Sequence, residues 1–147
     1  MKEKVLITGA NGSLAKRVKN NLISKGYDVV TLTSTKKSAD NKSIFYWNVS
    51  SGDVQQEALE NCQHIIHLSG FGIIKPWTET NKQLMYDSRI TAAQLLHEKC
   101  VEYEQTIRNL QMLLTRSQNE LKQKDVIIQY LEEQKVKAIE SELMNHD

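Results

Sequence analysis

The sequence predicts an α/β fold: a truncated parallel half-sheet of expected order 3-2-1-4, followed by a long α-helical coiled coil. Three observations predict it. An apolar run, Val5 to Ile7, meets a turn carrying Gly9 and Gly12 and passes into a helical pattern. A second run rich in β-branched residues, Asp28 to Thr33, follows at the spacing of a βαβ unit. Every glycine (Gly9, Gly12, Gly26, Gly52, Gly70, Gly72) precedes the only proline, Pro76, so the chain from Trp77 to Asp147 carries no helix breaker.

The first strand and helix have a chemical consequence. A strand, a glycine turn and a helix in that order form a phosphate cradle. Gly9 permits the tight turn, and Gly12 has no side chain to hold a pyrophosphate away from the backbone. The free N–H groups and positive dipole end of the helix then face the anion. Leu14, Val18 and Leu22 form the apolar stripe of that helix, and Ala15 is small enough for close packing on the strand. Gly9, Asn11, Gly12, Ser13 and Leu14 are therefore the candidate pyrophosphate residues.

Composition narrows the class. The chain has 147 residues, room for one ordinary domain or a small domain with an extension. Its net charge of +1 gives no basis for nucleic-acid or membrane-surface binding. Cys62 and Cys100 have neither metal-ligand nor disulfide-framework spacing, so they read as reduced thiols in a cytoplasmic protein. The apolar run after Met1-Lys2-Glu3-Lys4 is too short for a signal peptide, and none approaches membrane-spanning length.

Lys25-Gly26-Tyr27 reads as a helix end with Gly26 in the left-handed cap position. The end of the second strand is where an adenosine ribose is held, usually by Asp or Glu when the cofactor is NAD. Here the sequence is Thr33-Ser34-Thr35-Lys36-Lys37. Hydroxyls and lysines suit a 2′-phosphate, so Thr33, Ser34 and Lys36 are candidate ligands and NADP(H) is favoured over NAD(H). Ile44 to Trp47 is the third strand, ended by Asn48-Val49. Asp53 to Leu59 is expected to be a short helix, capped by Ser51 or Asp53. Cys62 to Leu68 is the fourth strand, running into Ser69-Gly70. His64 and His67 lie on different strand faces with no acid nearby in sequence, and both are read as structural.

Thr8 to Ala15, His67-Leu68-Ser69-Gly70, Trp77-Thr78-Glu79 and Asp87-Ser88-Arg89 together resemble one family. It is the epimerase-like family of extended short-chain dehydrogenases/reductases, with an NAD(P)-binding Rossmann-like domain. The first motif is similar to its T-G-x-x-G-x-x-G, and the second to its N-x-A-G turn. The resemblance implies that Ser69 and Gly70 line the cofactor edge. His67 and Ser69 depart from the family's residues, and Asn48 stands where many relatives carry Asp near the adenine. The family's catalytic Tyr-x-x-x-Lys is absent. Four residues after Tyr27, Tyr46, Tyr86, Tyr103 and Tyr130 stand Thr31, Ser50, Ile90, Ile107 and Gln134.

From Thr78 the pattern is helical without interruption, with Leu84, Ile90, Ala93 and Leu96 expected against the sheet. From Cys100 a heptad can be written. Its a positions are Cys100, Ile107, Leu114, Leu121 and Ile128, and its d positions Tyr103, Leu110, Ser117, Lys124 and Leu131. Beyond Leu131 the stripe slips to Val136, Ile139 and Leu143. The expected organisation is a partial NAD(P)-binding Rossmann-like domain over residues 1–100 and a coiled-coil arm over 101–147. The expected function is cofactor binding without turnover, with self-association through the arm as a parallel dimer. Two alternatives remain at this stage: a scaffold or chimera with a passive head, and an epimerase/oxidoreductase fragment completed by another chain.

Overall fold

The computed structural model describes residues 2–145. Met1–Tyr103 and Glu104–Asp147 are separate compact units. In the first, β1 (Lys4–Thr8) is the central strand. Val5, Leu6, Ile7 and Thr8 are all buried, because the sheet is covered on both faces. α1 (Ser13–Ser24) follows and ends at Lys25-Gly26. Gly26 has φ +91°, and Tyr27 N–H reaches back to Leu22 O at 3.1 Å, closing the helix as the glycine predicted.

β2 (Asp28–Thr33) pairs parallel with β1, and β3 (Ile44–Asn48) pairs parallel with β2. β5 (Cys62–Ile66) pairs parallel with the other side of β1. The expected parallel order is therefore present: third, second, first, then the Cys62 strand. The expected helix at Asp53 to Leu59 is not. Asp53–Val54 is instead a short strand, β4, antiparallel to β3 at the sheet edge, and Gln56–Ala58 is a single 3₁₀ turn. The cause is the tight reversal after β3. Asn48 Oδ1 accepts Ser50 N–H at 3.0 Å, and Gly52 takes φ +75°. The chain is thus turned back onto β3 before a helix can start, and the full order is β4-β3-β2-β1-β5.

The long helical pattern is divided. α2 (Glu79–Tyr86) begins at Thr78, whose hydroxyl accepts Asn81 N–H at 3.2 Å. Asp87–Thr91 forms a π turn, and α3 runs Ala92–Met144. A π turn inserts a residue and advances the following helix by about 100°. Of the residues expected against the sheet, Leu96 is buried and is joined by Ala92 and Leu95, whereas Leu84, before the π turn, Ile90, within it, and Ala93 are exposed.

The buried α3 residues join Leu6, Val30, Leu32, Phe45, Trp47 and Leu59 in one core cluster. Cys100 packs against the same cluster, so the first heptad position serves the α/β unit. On the opposite sheet face Ala15 packs with Val5, Ile7 and Val29, flanked by Val18 and Leu22. In the second unit the described α3 residues are exposed except Ile107, which is half-buried. Among the described residues no helix is long and apolar enough to cross a membrane.

Truncating a buried core side chain removes its transfer energy and leaves a cavity, so Leu96→Ala should cost about 2–5 kcal/mol in urea denaturation. A second expectation concerns the turn entering β3. Asp40 Oδ1 accepts the N–H groups of Ile44, Ser43 and Lys42 at 2.7, 2.8 and 2.9 Å. These bonds, led by Ile44, hold its carboxyl well below the usual carboxylate range. A depressed folded-state pKa stabilises above the unfolded pKa and is lost on acidification. Asp40→Asn should therefore lower the thermal midpoint at neutral pH, and the gap to wild type should close as pH falls below about 4.

Candidate cofactor site

The C-terminal ends of the parallel strands gather the candidate residues. The chain leaves β1 toward β2 on one side and later returns to β5 on the other, so a crevice opens at the end of β1. A cleft of about 320 Å³ lies there. Gly9, Asn11, Gly12, Thr33, Ser34, Ser69 and Gly70 line it, as does Trp47. A second cleft of about 460 Å³ shares Ser34, Trp47, Ser69 and Gly70 with the first. It continues past Tyr46, Asn48 and Val49 to Ser88 and Ala92. Together they form a groove over the loops that follow β1, β2, β3 and β5.

Geometry demands glycine at Gly9 and leaves little room at Gly12. Gly9 has φ +78°, and a Cβ there would lie 3.0 Å from Ser69 N. Gly12 N–H donates to Gly9 O at 2.9 Å, and a Cβ on Gly12 would meet that oxygen at 3.2 Å. α1 then opens with Gly12 at its N-cap, no side-chain cap and no acid in the first turn. An uncapped twelve-residue helix end beside a glycine cradle fits a pyrophosphate, whose oxygens can accept its open N–H groups.

The β1 and β5 ends are tied by one hydroxyl. Thr8 is fully buried, and its Oγ1 accepts Leu68 N–H at 2.9 Å and Ser69 N–H at 3.0 Å. Ser69 Oγ lies 3.1 Å away and His67 Nδ1 2.7 Å away. Thr8 Oγ1 and His67 Nδ1 share a hydrogen bond. The other ring nitrogen is Nε2. That nitrogen is buried and has no hydrogen-bond partner among the described residues, and the ring stands edge-on to Trp47 at 6.2 Å. His67, read from sequence as structural, thus braces the Ser69 loop from behind.

A second brace comes from the π turn. Ser88 Oγ accepts Phe71 N–H at 2.8 Å, and Arg89 donates to Phe71 O and Met85 O at 3.2 Å each. The guanidinium lies so close under Gly70 that a Cβ there would fall 2.9 Å from its central carbon. A side chain at Gly70 would therefore have to push the Arg89 guanidinium aside.

Other candidates are placed differently. Ser13 and Leu14 occupy the first turn of α1 but do not line the cleft, and Leu14 is exposed. Thr33 Oγ1 is engaged by Thr35 N–H at 3.2 Å. Lys36 sits with Nζ 5.2 Å over the Tyr46 ring and lines neither cleft. Thr8, Trp47, Ser88 and Arg89 were not singled out as site residues by the sequence reading. Thr8, immediately before the first motif glycine, and Ser88 and Arg89, within the Asp87-Ser88-Arg89 motif, each carry a local signal. Among the described residues no group of three or more His, Cys, Asp or Glu is arranged to hold a metal.

Replacing Thr8 with valine keeps the shape but strands two buried amide donors, costing about 1–3 kcal/mol for each. Thr8→Ser should recover most of that loss. Urea denaturation of both variants checks the assignment.

The comparisons with known proteins agree with this geometry. The profile of the NAD dependent epimerase/dehydratase family matches residues 5–139, extending past Cys100, where the motif resemblance ends. An epimerase family protein of Staphylococcus aureus (strain MRSA252) is 30% identical over 93 residues, 63% of this chain and 31% of the relative. One from Staphylococcus haemolyticus (strain JCSC1435) is 32% identical over 91 residues, 62% of this chain and 30% of the relative. The chain thus spans about a third of the length of these curated relatives. Among solved structures, a human epimerase family protein with NADPH superposes with a TM-score of 0.50 at 23% identity, covering 65% of this chain and 31% of that one. A 3-oxoacyl-reductase-like structure from Bacillus thuringiensis gives 0.54 at 18% identity, covering 70% and 52%. With a Rossmann-like half-sheet, its glycine cradle and a family profile spanning most of its length, the chain belongs to the NAD dependent epimerase/dehydratase family.

Proposed function

We propose that this chain binds a nicotinamide dinucleotide, with NADP(H) preferred, without turning it over, and that it self-associates through its C-terminal helix. The observation that carries the binding reading is the Gly9–Gly12 turn: it delivers an uncapped α1 N-terminus into a groove at the ends of the parallel strands. Gly9, Asn11 and Gly12 with the first-turn N–H groups of Ser13 and Leu14 hold the pyrophosphate. Ser34 faces the adenosine ribose, and Ser69 and Gly70 close the opposite wall. The groove past Tyr46, Asn48 and Val49 takes the adenine. A bound nicotinamide would supply hydride chemistry, and this chain's part is to hold the nucleotide half.

Preference for NADP(H) rests on charge. The loop after β2 carries Lys36 and Lys37 and no acid from Thr33 to Lys37. Lys36 is drawn over Tyr46, which leaves Lys37 as the more available cation for a 2′-phosphate. The absence of turnover rests on the missing Tyr-x-x-x-Lys, which leaves no tyrosine acid with a lysine to lower its pKa.

Calorimetric titration should show NADPH binding more tightly than NADH, with both weak. Gly12→Val fills the phosphate approach and should abolish binding, and Lys36→Glu with Lys37→Glu should erase the preference. Unchanged affinity in Gly12→Val would move any binding elsewhere. Reductase or epimerase turnover by the purified chain above about 1 per second, within the ordinary enzyme range, would refute the non-catalytic reading.

A further inference from the structure

On the second unit, apolar side chains form two clusters along α3. Leu110, Leu113 and Leu114 make one, and Ile127, Ile128 and Leu131 the other, each side chain 53–62% exposed. Between them the seam is polar apart from Leu121, with Ser117 and Lys124 at its d positions. We propose that this face docks a second copy of the chain antiparallel, with the two-fold axis level with Asn119. This rests on the self-association proposed above and replaces the parallel alignment expected from the a and d positions alone.

Reversal matches the clusters to each other. In an antiparallel pair each a residue faces a d residue of the other helix. With the axis at Asn119, Leu110 meets Ile128 of the second copy, and Ile107 meets Leu131. The flanking g positions then bring Leu113 onto Ile127, so apolar residues outside the strict a/d seam are also covered. In a parallel pair Leu113 would face Gln118, and Ile127 would face Glu132. Both would stay half in water.

Charge inside the seam points the same way. A parallel pair stacks Lys124 on Lys124 inside the seam and sets Glu120 against Asp125 on both flanks. The antiparallel pair sets Lys124 across from Leu114, where its methylene stem packs and its ammonium reaches water. It also brings two copies of Glu120 together at the axis. Arg116, 3.0 Å from Glu120 on the same helix, offsets that repulsion. Glu104 meets Glu132 at each end, and Arg108 lies 3.5 Å from Glu104.

Two measurements on the full chain test the register. Chains carrying Leu110→Cys are mixed with chains carrying Ile128→Cys, oxidised, and separated without reductant, with wild type as the background from Cys62 and Cys100. The expected product is the mixed disulfide. Self-linking is not expected, because like positions lie about 27 Å apart along the paired helices. Separately, Leu113→Lys alone or Ile127→Glu alone should weaken the dimer about tenfold, and mixing the two should restore it through Lys–Glu pairs. Light scattering separates the two failures. A monomer at tens of micromolar overturns self-association itself. A dimer that self-links at Leu110→Cys or Ile128→Cys, or that mixing does not restore, overturns the antiparallel register and leaves self-association standing.

Discussion

The bond set around Thr8 Oγ1 is the constraint on which the site depends. A single buried hydroxyl receives the amides of Leu68 and Ser69 and hydrogen-bonds His67 Nδ1. It joins the end of the central strand to the end of its neighbour across the sheet. Gly9 makes the approach possible, since any side chain there would press on the Ser69 backbone. The Gly9–Gly12 turn and the loop that bears Ser69 and Gly70 are therefore set together. The clamp of Ser88 and Arg89 on Phe71 fixes the far end of the same loop.

The groove is assembled from chain segments that share little sequence proximity. Its walls come from the loops after β1, β2, β3 and β5, brought together by parallel pairing and by burial on both sheet faces. α1 covers one face, and the start of α3 covers the other. The π turn at Asp87–Thr91 has two effects: it rotates α3 so that Ala92, Leu95 and Leu96 reach the core, and it presents Arg89 beneath Gly70. π turns recur at functional sites because a displaced turn can aim a side chain that a regular helix cannot.

The two units rest on different physics. The α/β unit buries apolar residues within its own sheet and helices, and its conformation is secured by that core. The described helix of the second unit leaves its apolar residues largely exposed. A long helix with an unpartnered apolar stripe gains stability by packing rather than by intrinsic propensity. The antiparallel pairing proposed above draws on the distribution of that stripe into two clusters rather than on its mere presence.

Local chemistry in the sequence was enough to determine the strand–turn–helix of Lys4 to Ser24, the cap at Gly26, the three parallel partners of β1 and β2, and the breaker-free helix. Each of these is specified by residues close in the chain: a glycine where φ is positive, a β-branched run, an apolar stripe of helical period. Tertiary structure alone decided the rest. Asp53–Val54 became a strand because β3 offered an open edge just behind a tight turn. Lys36 took a place with its Nζ 5.2 Å over the Tyr46 ring, a residue ten positions on. The core face of α3 followed a π turn that no residue type announces. Thr8 and His67 met 59 positions apart in sequence, and such a contact is specified only when the sheet places two strand ends side by side.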